Sequence, residues 1–287
     1  MSLSYNNLTF IIVTYKSEKI IIECLNSLPK NIPIIIIENS ANQELKKKLE
    51  ENFKNIEVII ENNKGMGSSN NIGLKSCKTD YAFVINPDVQ LKVDTIDEMI
   101  KVSEEIHDYA ILAPVVNKLN FKKHKLLDDN LNNNHDNYLR VKQVEGSAML
   151  FNLKKFKDLF FFDENFFLYL EDIDICLRKI KEGEKIFVAK KAFVNHLGGG
   201  SADKKFKEEI EYSRNWHWMW SKYYFNKKHY GFVKAILGVS LNLLTSLIKF
   251  ALYSIFLNKY KSKIYYMRML GILNSVMGKN SWYRPNL

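Results

Sequence analysis

Tyr81-Ala82-Phe83-Val84-Ile85-Asn86-Pro87-Asp88 is the stretch whose reading decides the fold. Five apolar residues form a buried strand by composition. Asn-Pro ends it, because proline has no N–H to give a ladder and holds the residue before it extended. The stop delivers a carboxylate, Asp88, at the strand's carboxyl end.

Three earlier runs, Phe10–Val13, Ile34–Ile37 and Val58–Ile60, have the same character. Between them Ile20, Ile21, Leu25 and Leu28 recur at helical spacing, Leu45, Leu49 and Phe53 mark one stripe of a charged segment, and Asn70 to Ser76 follows a glycine-rich turn. The βαβαβαβ order predicts an α/β fold: a mostly parallel, Rossmann-like sheet with helices on both faces and ligands beyond the carboxyl ends of its strands. Those ends carry Thr14-Tyr15, Glu38-Asn39-Ser40, Asn62-Asn63-Lys64 and Asn86-Pro87-Asp88. The loop from Asn63 to Asn71, with Gly65 and Gly67, offers backbone amides to an anion at a helix start. It follows the third strand and lacks the third glycine of a dinucleotide fingerprint, which disfavours a nicotinamide cofactor.

Downstream, Asn117 to Asn137 is polar and aperiodic, an exposed connection or short hairpin to which no chemistry is assigned. Val141 to Phe151 resumes a buried pattern around Glu145-Gly146-Ser147. Five carboxylates then crowd the aromatic stretch from Phe162 to Asp174. On a helix Glu171, Asp174 and Arg178 share a face and Asp174 with Arg178 is a favourable pair, whereas Asp172 lies on another face with no basic neighbour. An apolar strand, Ile186 to Ala189, leads to His196-Leu197-Gly198-Gly199-Gly200-Ser201. Taken singly, Asp88 reads as a cation ligand or a turn cap, and His196 as a ligand or a structural histidine.

The chain of 287 residues is 46% hydrophobic, enough to bury a full core. Cys24, Cys77 and Cys176 are far apart and lack metal-ligand spacing, so neither a disulfide framework nor a structural zinc site is indicated, and a reducing compartment fits best. Met1 to Phe10 has no basic segment and the apolar stretch that follows, Phe10 to Val13, is too short for a signal peptide, which predicts a cytoplasmic protein. The net charge of +10 belongs to one end: from Tyr212 to Leu287 there are twelve Lys and Arg and no acid. Phe232 to Leu257 is apolar apart from Lys234, Asn242 and Lys249, and its longest charge-free stretch, Ala235 to Ile248, is short of the roughly 18 to 20 residues a span needs. This predicts an interfacial segment. Trp216, Trp218, Trp220, Tyr223 and Tyr224 would also suit base stacking. A nucleic-acid role leaves everything before the tail unexplained, and the apolar run suits lipid better, so no nucleic acid is expected.

In order, Ile12-Val13-Thr14-Tyr15, Glu38-Asn39-Ser40, Asn63-Lys64-Gly65 through Asn71-Ile72-Gly73, Asn86-Pro87-Asp88, Glu145-Gly146-Ser147, Phe162-Asp163-Glu164, Glu171 through Arg178 and His196-Leu197-Gly198-Gly199 resemble glycosyltransferase family 2, in particular its rhamnosyltransferase-like branch of bacterial surface-polysaccharide enzymes. The resemblance covers about Phe10 to Gly231. It implies a GT-A fold over residues 1–211, with a nucleotide-binding half to about 115 and an acceptor-binding half from about 116; the basic, aromatic and apolar residues 212–287 are expected to form a helical, membrane-associating extension. It implies that Thr14, Tyr15 and Glu38 line the nucleoside pocket and that Asn63, Lys64 and Asn71 border the base and diphosphate. Asn86 and Asp88 would occupy a variant DXD motif, Asp88 and His196 would hold Mg²⁺ or Mn²⁺, Gly146, Ser147 and Glu171 would face the acceptor, and Asp172 would be the catalytic base. The activity implied is inverting transfer of a sugar, with rhamnose a candidate, from a nucleoside-diphosphate donor to a glycan or polyprenyl-diphosphate-linked acceptor at the inner face of the cell membrane. A non-catalytic member that binds sugar nucleotide or glycan is the alternative.

Overall fold

Every residue from Leu8 to Thr14 (β1) is buried, which only a strand with neighbours on both sides and cover on both faces can be. β2 (Ile34–Glu38) pairs with one side and a later strand, Tyr81–Ile85, with the other, both parallel, while β3 (Ile56–Ile60) pairs in parallel with β2. Between them lie α1 (Ile21–Asn26), α2 (Gln43–Asn52) and α3 (Met66–Ser76). Gly65 starts α3 with φ 95°, open to glycine, and Gly73 lets the helix settle on β1: a methyl group there would stand 2.5 Å from Cγ2 of Ile11. The parallel βαβαβαβ start is therefore as the sequence predicts. The computed structural model describes residues 2–117, 135–198 and 207–284, so most of the polar 117–137 connection and Gly199 to Ser201 lie outside the described residues.

After β4 (Tyr81–Ile85) come β5 (Val89–Leu91), α4 (Thr95–Ile106), β6 (Ile111–Val116), β7 (Tyr138–Arg140), β8 (Ala148–Asn152), α5 (Glu171–Lys181) and β9 (Ile186–His196). The strand order is β3-β2-β1-β4-β8-β6-β9-β5, with β7 also on β9; β8 is antiparallel to β4 and β6, and β9 is parallel to β6. Four pairing steps separate β4 from β5, about 19 Å in a flat sheet, yet only Asn86, Pro87 and Asp88 join them, a reach of at most about 14 Å. The sheet must therefore curl, and the Asn86-Pro87-Asp88 turn closes the curl.

The chain forms two compact units, Met1–Asp163 with Asp172–Ala202, and Glu164–Glu171 with Asp203–Leu287. The second unit also takes in the short aromatic segment ahead of α5. Within that unit Phe167 stacks on His217 at 4.5 Å and Ser221 donates to the carbonyl of Leu168 at 2.8 Å.

α6 (Lys207–Ile255) breaks at Gly231, where φ 85° and ψ 171° turn the chain back on itself, giving arms 207–230 and 232–255. Lys222 of the first donates to Asn242 of the second at 2.6 Å. α7 (Lys259–Val276) completes the unit, with Gly271 against the carbonyl of Trp216. Trp216, Trp220 and Tyr223 are buried here, so they are core residues rather than a stacking platform. Among the described residues α6 alone is long and apolar enough to cross a membrane, by length and composition.

Candidate active site

The antiparallel pairing of β5 with β9 sets Val89 opposite His196. It thereby puts Asp88, the residue before β5, against the imidazole at the end of β9: Nε2 of His196 is 3.2 Å from Oδ1 of Asp88. The other ring nitrogen faces Oε1 of Glu145 at 3.8 Å. The Asp88 and Glu145 carboxylates raise the pKa of His196 from 6.5 to about 9, so the imidazole is cationic at neutral pH. Asn117 fixes the backbone here, its side chain accepting from the N–H of His196 at 2.7 Å and donating to its carbonyl at 2.6 Å. Asp88 is buried, and its own carbonyl accepts from the N–H of Leu197.

Asp172, in the first turn of α5, is half-buried. The N–H of Gly146 donates to its Oδ2 at 2.9 Å and the N–H of Ile173 to its Oδ1 at 2.8 Å. Burial raises its pKa, those N–H groups pull it down, and the Glu145 charge pushes it up again, with the net shift upward. Asp174, by contrast, is fully buried against Nε of Arg178 at 2.8 Å, as the helical spacing predicts. Tyr169 and Leu170, immediately before α5, both lie in the left-handed region, with φ 72° and 69°, strain of the kind that collects at functional sites. Gly146 packs so closely on Asp172 that it orients that carboxylate. Ser147 is buried with its hydroxyl unpartnered, while its carbonyl accepts from the N–H of Asn86. Glu171 is buried at the start of the helix.

At the carboxyl edge of the parallel strands, Thr14 is fully buried with its hydroxyl unpartnered, and so are Oδ1 of Asn39, Oγ of Ser69 and Oδ1 of Asn70. Polar atoms removed from water without a partner are uncommon, and a bound molecule or water ordinarily completes such a set. Tyr15 is half-buried beside them, its backbone tied to Ser17. Four other residues expected here have partners of their own. The Glu38 carboxylate accepts from the N–H of Ser40, the hydroxyl of Ser40 and the N–H of Asn42, holding its own loop. Asn71 clasps the backbone of Phe162, donating to its carbonyl and accepting from its N–H, both at 2.9 Å, and so fixes the approach to Asp163. Lys64 pairs with Glu61 at 2.7 Å on the exposed rim, and Asn63 accepts from Asn39 and from the N–H of Gly65.

The pattern described as Glycosyl transferase family 2 matches residues 9–178, more than half of the chain and all of the edge just described except His196. The chain belongs to glycosyltransferase family 2. It is 25% identical over 200 residues to the low-salt glycan biosynthesis hexosyltransferase Agl10 of Haloferax volcanii, covering 63% of this chain and 64% of that protein's length. It is 26% identical over 215 residues to the rhamnosyltransferase WbbL of Escherichia coli, covering 61% of this chain and 78% of that one. Among solved structures it resembles the mannosyltransferase PcManGT of Pyrobaculum calidifontis in complex with GDP-Man and Mn²⁺, with a TM-score of 0.58, 11% identity and coverage of 96% of this chain and 88% of the other. It also resembles S. aureus TarS 1-349, with a TM-score of 0.52, 17% identity and coverage of 96% and 93%. These likenesses show the GT-A fold.

Within this family-2 chain the structure adds Asn117, Glu145 and Asn39 to the residues sequence reasoning picked out. Asn117 was set aside with the polar connection, and only the β6–β9 register shows that its amide meets His196. Glu145 was quoted beside Gly146 and Ser147, but nothing in its spacing says that it faces an imidazole. Asn39 could have been found, since it stands at a strand end beside Glu38.

Proposed function

We propose that the protein transfers a sugar from a nucleoside-diphosphate donor to a hydroxyl of a glycan or lipid-linked glycan, with inversion, at the cytoplasmic surface of a membrane, and that rhamnose is a candidate sugar. The observation that carries this reading is the meeting of Asp88 and His196 at 3.2 Å on the ligand edge of the sheet, with Asp172 held by Gly146 in the same unit.

The donor set at this edge fits a divalent cation in part. Asp88 would supply a hard oxygen, His196 would supply a nitrogen once the cation displaces its proton, and Glu145 on the imidazole's far side is the usual orienting carboxylate of a ligating histidine. No group of three or more His, Cys, Asp or Glu side chains able to hold a metal occurs among the described residues, so diphosphate oxygens and water would complete the coordination. When bound, Mg²⁺ or Mn²⁺ would neutralise charge on the departing nucleoside diphosphate. Thr14, Tyr15, Asn39 and Asn63 would border the nucleoside, the loop from Gly65 would offer amides to the phosphates, and Ser147 would meet the acceptor.

Asp172 would then remove the proton of the acceptor hydroxyl as its oxygen bonds to the anomeric carbon and the bond from that carbon to the diphosphate breaks. A carboxylate whose pKa is raised above the ordinary value is, once ionised, a stronger base than an exposed one. Incubation with a panel of nucleotide sugars, reading which nucleoside diphosphate is released, tests the reading. Release from one donor class, lost in excess chelator and in Asp88→Ala, is the expected result. Full turnover under either condition would overturn the metal assignment, and no release from any donor would favour a binding protein.

A further inference from the structure

The arm 232–255 has two unlike faces. Ala235 and Val239 are buried with Met219, Tyr223 and Ile272 in one apolar cluster, and further along Phe250 and Tyr253 meet Tyr266 and Tyr265 of α7 at 5.8 and 5.6 Å between rings. On the other side Val233, Leu237, Leu241, Leu244, Ile248 and Leu252 are 47% to 73% exposed. Their spacing of four, four, three, four and four places them in an arc of about 100° and a stripe about 29 Å long. Single exposed apolar residues are ordinary, but a continuous stripe of this length is an interaction surface.

We propose that this stripe lies flat in the headgroup region of an anionic bilayer, as an in-plane anchor and not a transmembrane span. Charge selects the bilayer over a second copy of the chain. Lys227, Lys228, Lys234, Lys249 and Lys259 are exposed on the arm and its flanks, and no acid occurs from Tyr212 to Leu287. A second copy laid on the stripe would bring these cations together with no acid from this stretch to offset them, whereas an anionic surface attracts each one.

Packing selects the flat arrangement over the span that the helix's length and composition would permit. The first arm and α7 lie along the stripe's back and carry Lys222, Asn226, Lys261 and Arg268, with Lys222 bonded to Asn242 and the ammonium of Lys261 5.2 Å from the ring of Tyr253. A perpendicular arm would drag those polar groups into hydrocarbon, where unpaired charge is expelled. Lying flat, the stripe reaches the acyl boundary while its polar neighbours stay wet.

The inference deepens the membrane-surface part of the proposed function and does not depend on the sugar chemistry. Its test is flotation of the full-length chain with vesicles of equal parts phosphatidylglycerol and phosphatidylcholine, or of phosphatidylcholine alone. The wild type should float with the anionic vesicles, lose at least about tenfold in partitioning when salt is raised, and be released by an alkaline carbonate wash. The triple variant Leu237→Gln, Leu241→Gln, Leu244→Gln, altered only at exposed positions, should lose about a hundredfold or more in partitioning with an unchanged thermal melt. Equal flotation of the triple variant, retention through carbonate, or a wild-type dimer in solution that the variant dissolves would each overturn the proposal. Nucleotide-sugar hydrolysis in detergent-free solution should be the same in both proteins; its absence in both would instead sink the transferase reading.

Discussion

Gly146→Ala tests how the proposed base is held. A Cβ at Gly146 would stand 2.9 Å from Cβ of Asp172 and 3.0 Å from its Oδ2. Carbon atoms rest about 3.5 to 4.0 Å apart, so the two must separate by at least about 0.6 Å. Rotating the carboxylate cannot relieve this, because the position of Cβ is set by the backbone of α5. The loop cannot easily retreat, because the carbonyl of Ser147 accepts from Asn86 at 2.9 Å. The bond from the Gly146 N–H to Asp172, 2.9 Å in the native chain, therefore lengthens, and the carboxylate shifts from its place. Misplacement on the order of 1 Å costs up to about a hundredfold in rate, so kcat for transfer should fall about ten- to a hundredfold. The donor's KM should hold, and strain of about 1 to 3 kcal/mol should lower the melting temperature by a few degrees. Steady-state kinetics with donor and acceptor varied separately, beside a thermal melt, read both. A variant that is strained in the melt yet transfers at the wild-type rate would refute the link between Gly146 and a catalytic Asp172.

Asp172→Asn should lose roughly 10²- to 10⁴-fold in transfer while binding donor normally, and Glu171→Gln should retain most activity; the reverse outcome would assign the base to Glu171. Because the folded pKa of Asp172 lies above its ordinary 3.8, its contribution to stability is present below 3.8 and lost as pH rises through the folded value, a slope that the Asn variant should lack in denaturant titrations. The His196 pKa is also raised, from 6.5 to about 9, so in metal-free protein its stabilisation should be full below pH 6.5 and gone above about 9; His196→Gln should flatten wild-type stability loss across that window. Gly271→Ala would drive a methyl group into the carbonyl of Trp216, and the melt of the helical unit should show destabilisation of about 1 to 3 kcal/mol or more.

Runs such as Ile34–Ile37 and Tyr81–Ile85 could be read as strands because a strand covered on both faces is apolar throughout, and the glycine-rich turn betrayed the start of α3. The same local logic separated Asp172 from Asp174, since the Asp174–Arg178 pair is a property of helical spacing alone. What could not be read is the pairing across the second half. Nothing local to Asp88 says that β8, β6 and β9 come between β4 and β5, so the contact with His196 was reachable only through the resemblance. Asn71 and Glu38 stood at the expected edge, but the partner of Asn71, the backbone of Phe162, depends on tertiary placement, and the bonds of Glu38 to Ser40 and Asn42, though local, depend on how its own loop turns. In the tail, the aromatic residues gave no sign of whether they faced solvent, and burial of Trp216 and Trp220 answers that.

The ladder between β5 and β9 joins residues 89–91 to residues 194–196 through three residue pairs. Of the ladders along the sheet's main path it joins the parts of the chain most distant in sequence, and closing so long a loop costs entropy before any contact offsets it. The join is therefore expected to form late during folding and to open early in native-state fluctuations. Asp88 and His196 sit on its two sides. A cation held by both and carrying the diphosphate would hold the join shut, so that occupancy by the donor and completion of the sheet would become two readings of one equilibrium.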